Sequence, residues 1–350
     1  MKFDLPLWNG IKKNRFNQKI LQLQLRKSKR KGIFIQSNKK KINYSQNYTH
    51  MTALNWSGFL NKVRNNKLDF VKTNLNNLGD CLEIGAGDGF NMKSSKWKTY
   101  TICDPFLKSQ KKNKIEIIGK DFENINFRNK FDTIIMFAVL EHAQNFETFL
   151  KKAKKVLKKG GCLFIEIPVV DDHFLNGDFN CLLHEHISYF FTSGIFNFIR
   201  KNKMFIKNFY YKNDSAYLCV TNKYIKKNFY FNKKILDLKF YQKLFKNKIK
   251  NFLIFLKKNE NKKIVFYGAN NGINSLLFFA KEKKISFKNI YITDGDSNKW
   301  NKYIGSFSKK ISQPKIINQC DLICISALSF KDEIINKLDK KKPIINLNDI

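Results

Sequence analysis

The stretch Asp80-Cys-Leu-Glu-Ile-Gly-Ala-Gly-Asp-Gly-Phe90 constrains the fold of this chain more than any other. Apolar Cys81, Leu82 and Ile84 read as a buried strand, and Gly85, Gly87 and Gly89 turn the chain tightly toward a helix. Glycine tolerates positive φ and lets a ligand come close to the backbone. A strand, a glycine turn and a helix N-terminus make a cradle for a nucleotide-like ligand. Glu83, beside the glycines, is placed to order the loop. The glycines alone would equally suggest a dehydrogenase, so the rest of the chain has to decide.

From residue 80 strand and helix alternate. Short apolar runs recur at 81–84, 99–103, 115–118, 132–137 and 162–167, with a helical stretch at 146–157. This is the pattern of a parallel sheet covered by helices on both faces. Phe205–Tyr211 and Ala216–Thr221, split by Lys212-Asn213-Asp214-Ser215, read as a terminal antiparallel hairpin. The fold class expected is therefore α/β, a doubly wound and mostly parallel sheet. Asp104 closes the second strand, nineteen residues after Gly85, where an acid can accept hydrogen bonds from the two hydroxyls of a ribose. Asp121-Phe122 follows the third strand, where an acid can accept from an adenine amino group while the aromatic packs on the ring.

Outside that core, Ile20-Leu21-x-Leu23-x-Leu25 alternates like a strand, and the basic run Arg26–Lys31 reads as a solvated loop. A helical pattern runs from about Leu54 to Leu75. Apolar residues at 235, 238, 241, 245, 249, 252 and 256 predict one long amphipathic helix, a connector. Ile264-Val-Phe-Tyr-Gly-Ala-Asn-Asn-Gly272 starts a second strand–glycine–helix unit, with further strands at 290–293 and 321–325. Without a complete G-x-G-x-x-G, its Gly268 and Gly272 read as packing glycines rather than a cofactor site. The expected division is a basic N-terminal segment at 1–50, a central domain at 51–225, a helical connector at 226–260 and a smaller Rossmann-like α/β domain at 261–350.

Composition narrows the function classes. The net charge of +38 points toward nucleic acid, but only six of the 66 basic residues are arginine and the lysines are spread along the chain. Abundant Asn, Ile and Phe accompany them, as an AT-rich coding bias would produce, so no specific nucleic-acid partner is expected. The seven cysteines contain no C-x-x-C pair, which argues against structural zinc and a disulfide framework. No apolar run reaches 18 residues and the N-terminus has no long apolar segment, so neither a membrane span nor a signal peptide is expected, and a cytoplasmic location follows.

The second group of candidate residues is His184-Glu185-His186-Ile-Ser-Tyr189-Phe190. Two histidines and a carboxylate suggest a metal. On an extended segment His184 and His186 would share a face with Glu185 pointing away, and His173 is the only further histidine nearby. A histidine acting as general base and polar residues lining a pocket rim are the other readings.

The order Glu83-x-Gly-x-Gly-x-Gly, Asp104, Asp121, Phe131-Asp-Thr-Ile-Ile, Leu140-Glu141-His142 and Leu157-Lys-Lys-Gly-Gly161 resembles class I S-adenosylmethionine-dependent methyltransferases. Phe-Asp-x-Ile-Ile and Leu-Glu-His speak against a dehydrogenase. His-Glu-His-x-x-Tyr-Phe, followed by a second Rossmann-like unit, resembles the C-methyltransferases that act on nucleotide-linked keto-deoxysugars. The resemblance implies S-adenosylmethionine as cofactor and S-adenosylhomocysteine as product. It also implies His186 as base, with His184 and Glu185 in the same catalytic motif, and acceptor contacts from Tyr44, Tyr48, His142 and Tyr189. No metal in the active site is implied. Two departures are plain: Leu183 stands where the family carries tyrosine, and Gly32-Ile-Phe-Ile-Gln-Ser resembles the tail of a zinc module whose cysteines are absent here. They keep O- or N-methylation of a related sugar, an RNA methyltransferase and an inactive scaffold open as alternatives.

Overall fold

A computed structural model describes residues 1–38, 58–75, 78–87, 96–226, 229, 231, 234–338 and 342–350. Three antiparallel strands open the chain: β1 (Lys2–Pro6), β2 (Ile20–Lys27) and β3 (Ile33–Gln36). Helix α1 (Gly58–Thr73) leads to β4 (Asp80–Ile84), β5 (Thr99–Cys103), β6 (Gln110–Lys112), β7 (Ile115–Ile118) and β8 (Phe131–Phe137). Then follow α2 (Phe146–Val156), β9 (Leu157–Pro168), α3 (Asp171–Asn176), β10 (Ser188–Phe190), α4 (Thr192–Lys201), β11 (Phe205–Lys212) and β12 (Ser215–Thr221).

The main sheet has the order β11-β12-β9-β8-β4-β5-β7-β6. The five strands from β9 to β7 run parallel, while β12 is antiparallel to both β9 and β11 and β6 is antiparallel to β7. Its central strands are buried on both faces, which is why they read as continuous apolar runs. Local signals close the elements. Asn145 caps α2, its side chain accepting from the N–H groups of Glu147 and Thr148, and Phe146, Phe149, Leu150, Ala153 and Val156 form the buried face. The β11–β12 turn places Asn213 and Asp214 at φ 50° and 61°, the backbone that a two-residue hairpin turn demands. β4 pairs with β5 on one side and β8 on the other, so the strand order reverses there. In open α/β sheets that reversal opens the ligand crevice at the C-terminal strand ends.

Helix α5 (Leu238–Lys258), capped by Asp237, follows the main sheet. The last unit comprises β13 (Ile264–Tyr267), α6 (Asn271–Glu282), β14 (Ile290–Thr293), β15 (Leu322–Ile325), α7 (Lys331–Ile335) and β16 (Ile344–Asn346). Its parallel sheet has the order β14-β13-β15-β16. β16 carried no clear signal in the sequence because it is three residues long. The apolar stripe of α5 is buried at Leu238, Tyr241, Phe245, Phe252 and Leu256, and Lys248 among them donates to the carbonyls of Leu347 and Asn348.

Two features of the N-terminal segment depart from expectation. Its three strands continue through β10 of the central region in one sheet, β1-β2-β3-β10, and its Phe3, Leu5, Leu23 and Phe34 share an apolar core with Phe245, Phe266 and Ile292. The basic run is not wholly solvated either: β2 extends through Lys27, and Arg30 makes a two-point ion pair with Glu147. All seven cysteines are free and buried. No helix among the described residues is long and apolar enough to cross a membrane.

Candidate functional site

At the strand-order reversal, Gly85 and Gly87 take φ of 71° and 57°, where a side chain would be strained. A Cβ on Gly85 would also meet Val139 Cγ2 at 2.6 Å, so the turn lies directly against the chain leaving β8. Asp104, at the tip of β5, spans the turn: Oδ2 accepts from Gly87 N–H at 3.0 Å and Oδ1 from Phe106 N–H at 2.9 Å. It is only 4 % exposed. Burial pushes its carboxyl up, the two N–H groups pull it down, and the charge of Asp121 adds a smaller push upward. Each Asp104 oxygen keeps a lone pair for a further donor such as a ribose hydroxyl. Gly89 lies outside the described residues.

Glu83 is buried in β4, and Tyr100 of the neighbouring strand donates to its Oε2 at 2.6 Å. Asp121 is exposed, ahead of a single helical turn over Phe122–Asn124. The Phe122 ring is in the core, 4.9 Å from Phe149 and 5.8 Å from Phe127, with the Lys152 ammonium 5.1 Å above it. Phe122 is 3 % exposed among these side chains.

The second half of the crevice follows β8. Ala138 has φ 54°, a strained value for a residue with a Cβ, and leads into the single turn Leu140–His142. His142 Nδ1 lies 3.0 Å from the carbonyl oxygen of Glu185. A carbonyl only accepts, so Nδ1 carries the proton and Nε2 keeps the lone pair. The His186 ring packs edge-on against His142, with centroids 5.0 Å apart and planes at 76°. Burial holds His142 down at about 4 and pulls His186 well below its ordinary value, with His142 adding repulsion. Both imidazoles are therefore neutral near pH 7. Glu141 is buried, with no hydrogen-bond partner for Oε2, and burial followed by the charges of Glu166 and Glu185 raises it to about 8. Glu141, His142 and His186 each bring a ligand atom within 4.8 Å of the others, a spacing that could also hold a metal ion.

The His-Glu-His segment is a turn rather than an extended strand, closed by the His186 N–H to the Leu183 carbonyl at 3.2 Å. Its two histidines consequently diverge. His184 Nε2 reaches the carbonyl oxygen of Leu21 on β2 at 3.0 Å, away from His142, so His184 acts as a strut and not as a partner of His186. Glu185 contributes its carbonyl to His142. Tyr189 is buried, its ring 6.0 Å from His186 and its hydroxyl donated to Leu183 O at 2.6 Å. Tyr44 and Tyr48 lie outside the described residues. Two residues with no role expected from sequence converge on the same segment. Gln36 of β3 donates to the carbonyls of Leu183, His184 and His186, and Asn271 of α6 donates to those of Phe179 and Leu182. No local sequence signal marks either one.

The second glycine unit has no comparable opening at its helix. A Cβ on Gly272 would meet Asn180 at 3.2 Å, so the N-terminus of α6 packs directly on the 179–182 segment. Asp294, the counterpart of Asp104, accepts from Ala269 N–H and pairs with Lys299 at 2.8 Å.

The strand order, the glycine turn at its reversal and the acid closing β5 define a class I methyltransferase fold. A profile of the methyltransferase domain family matches residues 58–198, from the start of α1 into α4. An uncharacterized protein of Methanocaldococcus jannaschii is 35 % identical over 103 residues, 28 % of this chain and 48 % of its own length. A ubiquinone biosynthesis O-methyltransferase of Pelagibacter ubique is 39 % identical over 57 residues, 16 % of this chain and 24 % of its own. The chain thus spans about half the length, or less, of these curated relatives. The crystal structure of the N-methyltransferase NodS from Bradyrhizobium japonicum with S-adenosyl-L-homocysteine aligns at TM-score 0.36 and 14 % identity, covering 46 % of this chain and 85 % of that one.

Proposed function

We propose that this chain is an S-adenosylmethionine-dependent methyltransferase acting on a small acceptor, a nucleotide-linked keto-deoxysugar, with His186 as the base. The observation that carries the reading is the edge-on contact of His142 and His186 on the segment after β8, whose Val139 lies against the Gly85 turn that Asp104 spans.

The residues present fit the cofactor. Asp104 offers lone pairs beside a backbone turn free of side chains at Gly85 and Gly87, the acceptors that the hydroxyls of a ribose diol require. When bound, the cofactor would supply an electrophilic methyl group to the acceptor's electron pair, the S–CH₃ bonding pair remaining on sulfur as S-adenosylhomocysteine leaves. The chain's own part is proton removal. A neutral imidazole takes the proton from the carbon beside the ketone, and the C–H electron pair remains on the acceptor as an enolate. Burial keeps His186 unprotonated and ready, and the edge of His142 fixes its ring.

O-methylation is the second reading, motivated by the O-methyltransferase named among the relatives. The same imidazole would then take a hydroxyl proton. The test is incubation with isotope-labelled methyl donor and a panel of nucleotide-linked keto-sugars and their hydroxy counterparts, read by mass spectrometry. Label on a ring carbon supports the first reading and label on oxygen the second. Absence of label from every sugar, with calorimetric donor binding intact, would refute the acceptor class.

A further inference from the structure

We propose that Gln36 is a positioning residue of the active site, through which the N-terminal sheet sets the His186 imidazole; the inference rests on the reading of His186 as base. β3 pairs with β10 antiparallel, with Ile35 opposite Ser188. The backbone N–H of Gln36 still donates to Ile187 O at 2.9 Å, but beyond that point the partner strand turns away and β3 ends. Three carbonyls of the turn, from Leu183, His184 and His186, therefore have no strand to accept from. The Gln36 side chain replaces that strand: its Nε2 lies 3.2, 3.0 and 2.8 Å from the three oxygens. Gln36 is 4 % exposed, so water cannot take its place.

The chemistry selects glutamine. Three convergent carbonyl oxygens need N–H donors on a side chain long enough to reach past the strand end. Glutamate has the length but, when ionised, offers only acceptors, and asparagine is one methylene too short. Leu183 O also accepts from Tyr189 hydroxyl at 2.6 Å and from His186 N–H. The position where Leu183 replaces a tyrosine thus contributes through its carbonyl, as the hub of the turn. His184, bonded to Leu21 O on β2, ties the same turn to the same sheet. The N-terminal sheet consequently holds the base through two side chains. A misplacement of about 1 Å at a reacting group costs on the order of a hundredfold in rate.

The test compares Gln36→Glu and Gln36→Met with Ile323→Ala, a core truncation of β15 in an apolar cluster that includes no residue of the N-terminal sheet or of the turn, which controls for lost stability. Expected for Gln36→Glu is a ten- to hundredfold fall in kcat with calorimetric S-adenosylhomocysteine affinity within twofold of wild type. Part of the loss should be recovered as pH falls and the new carboxyl regains a proton to donate. Ile323→Ala should keep kcat within twofold. If Gln36→Glu does not fold, Gln36→Met, uncharged and of equal length, carries the same criteria. The ring Cε1–H NMR signal of His186 should shift in the Gln36 variants and not in Ile323→Ala. An unmoved His186 signal, or a kcat loss in Ile323→Ala equal to that at Gln36, overturns the proposal. Because the NMR readout needs no turnover, a wild type that methylates none of the acceptors would count against the proposed function and leave the Gln36 result standing.

Discussion

Replacing Asp104 by asparagine is the sharpest probe of the cofactor half of the site. The aspartate accepts from two backbone N–H groups, Gly87 at 3.0 Å and Phe106 at 2.9 Å, through different oxygens. Asparagine has one carbonyl oxygen and one amide nitrogen, so one backbone N–H must face another donor. A buried N–H left without an acceptor costs about 1–3 kcal/mol. A ribose hydroxyl would in addition lose its charged acceptor, and hydrogen bonds to charged groups are worth about 1.5–3 kcal/mol. If the turn is repaired by local adjustment, only the second loss reaches the ligand, which predicts a roughly ten- to hundredfold weaker Kd at about 1.4 kcal/mol per decade. Calorimetric titration with S-adenosylhomocysteine reads this directly, and thermal unfolding of the free protein reads the cost at the turn. A variant that unfolds earlier yet binds within twofold of wild type would show that Asp104 only braces the glycines and holds no ribose.

His186→Asn should lower kcat by about 10²–10⁴, the usual range for losing a general base, while calorimetric donor affinity stays unchanged; unaltered turnover would remove the base assignment. Glu141 has its folded pKa raised from 4.5 to about 8, so its stabilising contribution is complete below about pH 4.5 and is lost as pH rises through about 8. Glu141→Gln should therefore flatten the fall in melting temperature between those limits and be the more stable protein at pH 9; parallel curves for the two proteins would contradict the burial argument. Phe179 is fully buried, with Phe3, Phe245 and Phe279 at 5.0–5.7 Å, and Phe179→Ala should cost about 3–5 kcal/mol in urea unfolding, a loss under 1 kcal/mol counting against the shared core.

Local patterns made most of the fold legible. Strand runs, the hairpin and the stripe of α5 are properties of consecutive residues, and the structure places strands or a helix where each was expected. The terminal hairpin was readable because Asn213-Asp214 supplies the positive φ its turn needs. The site was legible only in part. Asp104 follows from strand length and position, since any residue closing β5 must face the glycine turn. Phe122 and Glu83 sit at fitting positions in the chain, and the structure gives Phe122 a contact with Phe149 and Glu83 a hydrogen bond from Tyr100. Whether an aromatic or an acid at a strand end faces the crevice or the core depends on what packs behind it, and that neighbour is remote in sequence.

The amino-acid sequence by itself determined the layered α/β architecture, the cofactor-type turn and the presence of two histidines in one short motif, because these depend on backbone preferences and near-neighbour spacing. The tertiary structure alone decided how those histidines divide their work. The Leu183–His186 turn sends His184 to Leu21 and His186 to His142. It also brings Gln36 from the first strands and Asn271 from the last unit onto the segment that carries them. Carbonyl groups left over where strands end can be satisfied by any donor the fold brings near, and no sequence period records which donor that is.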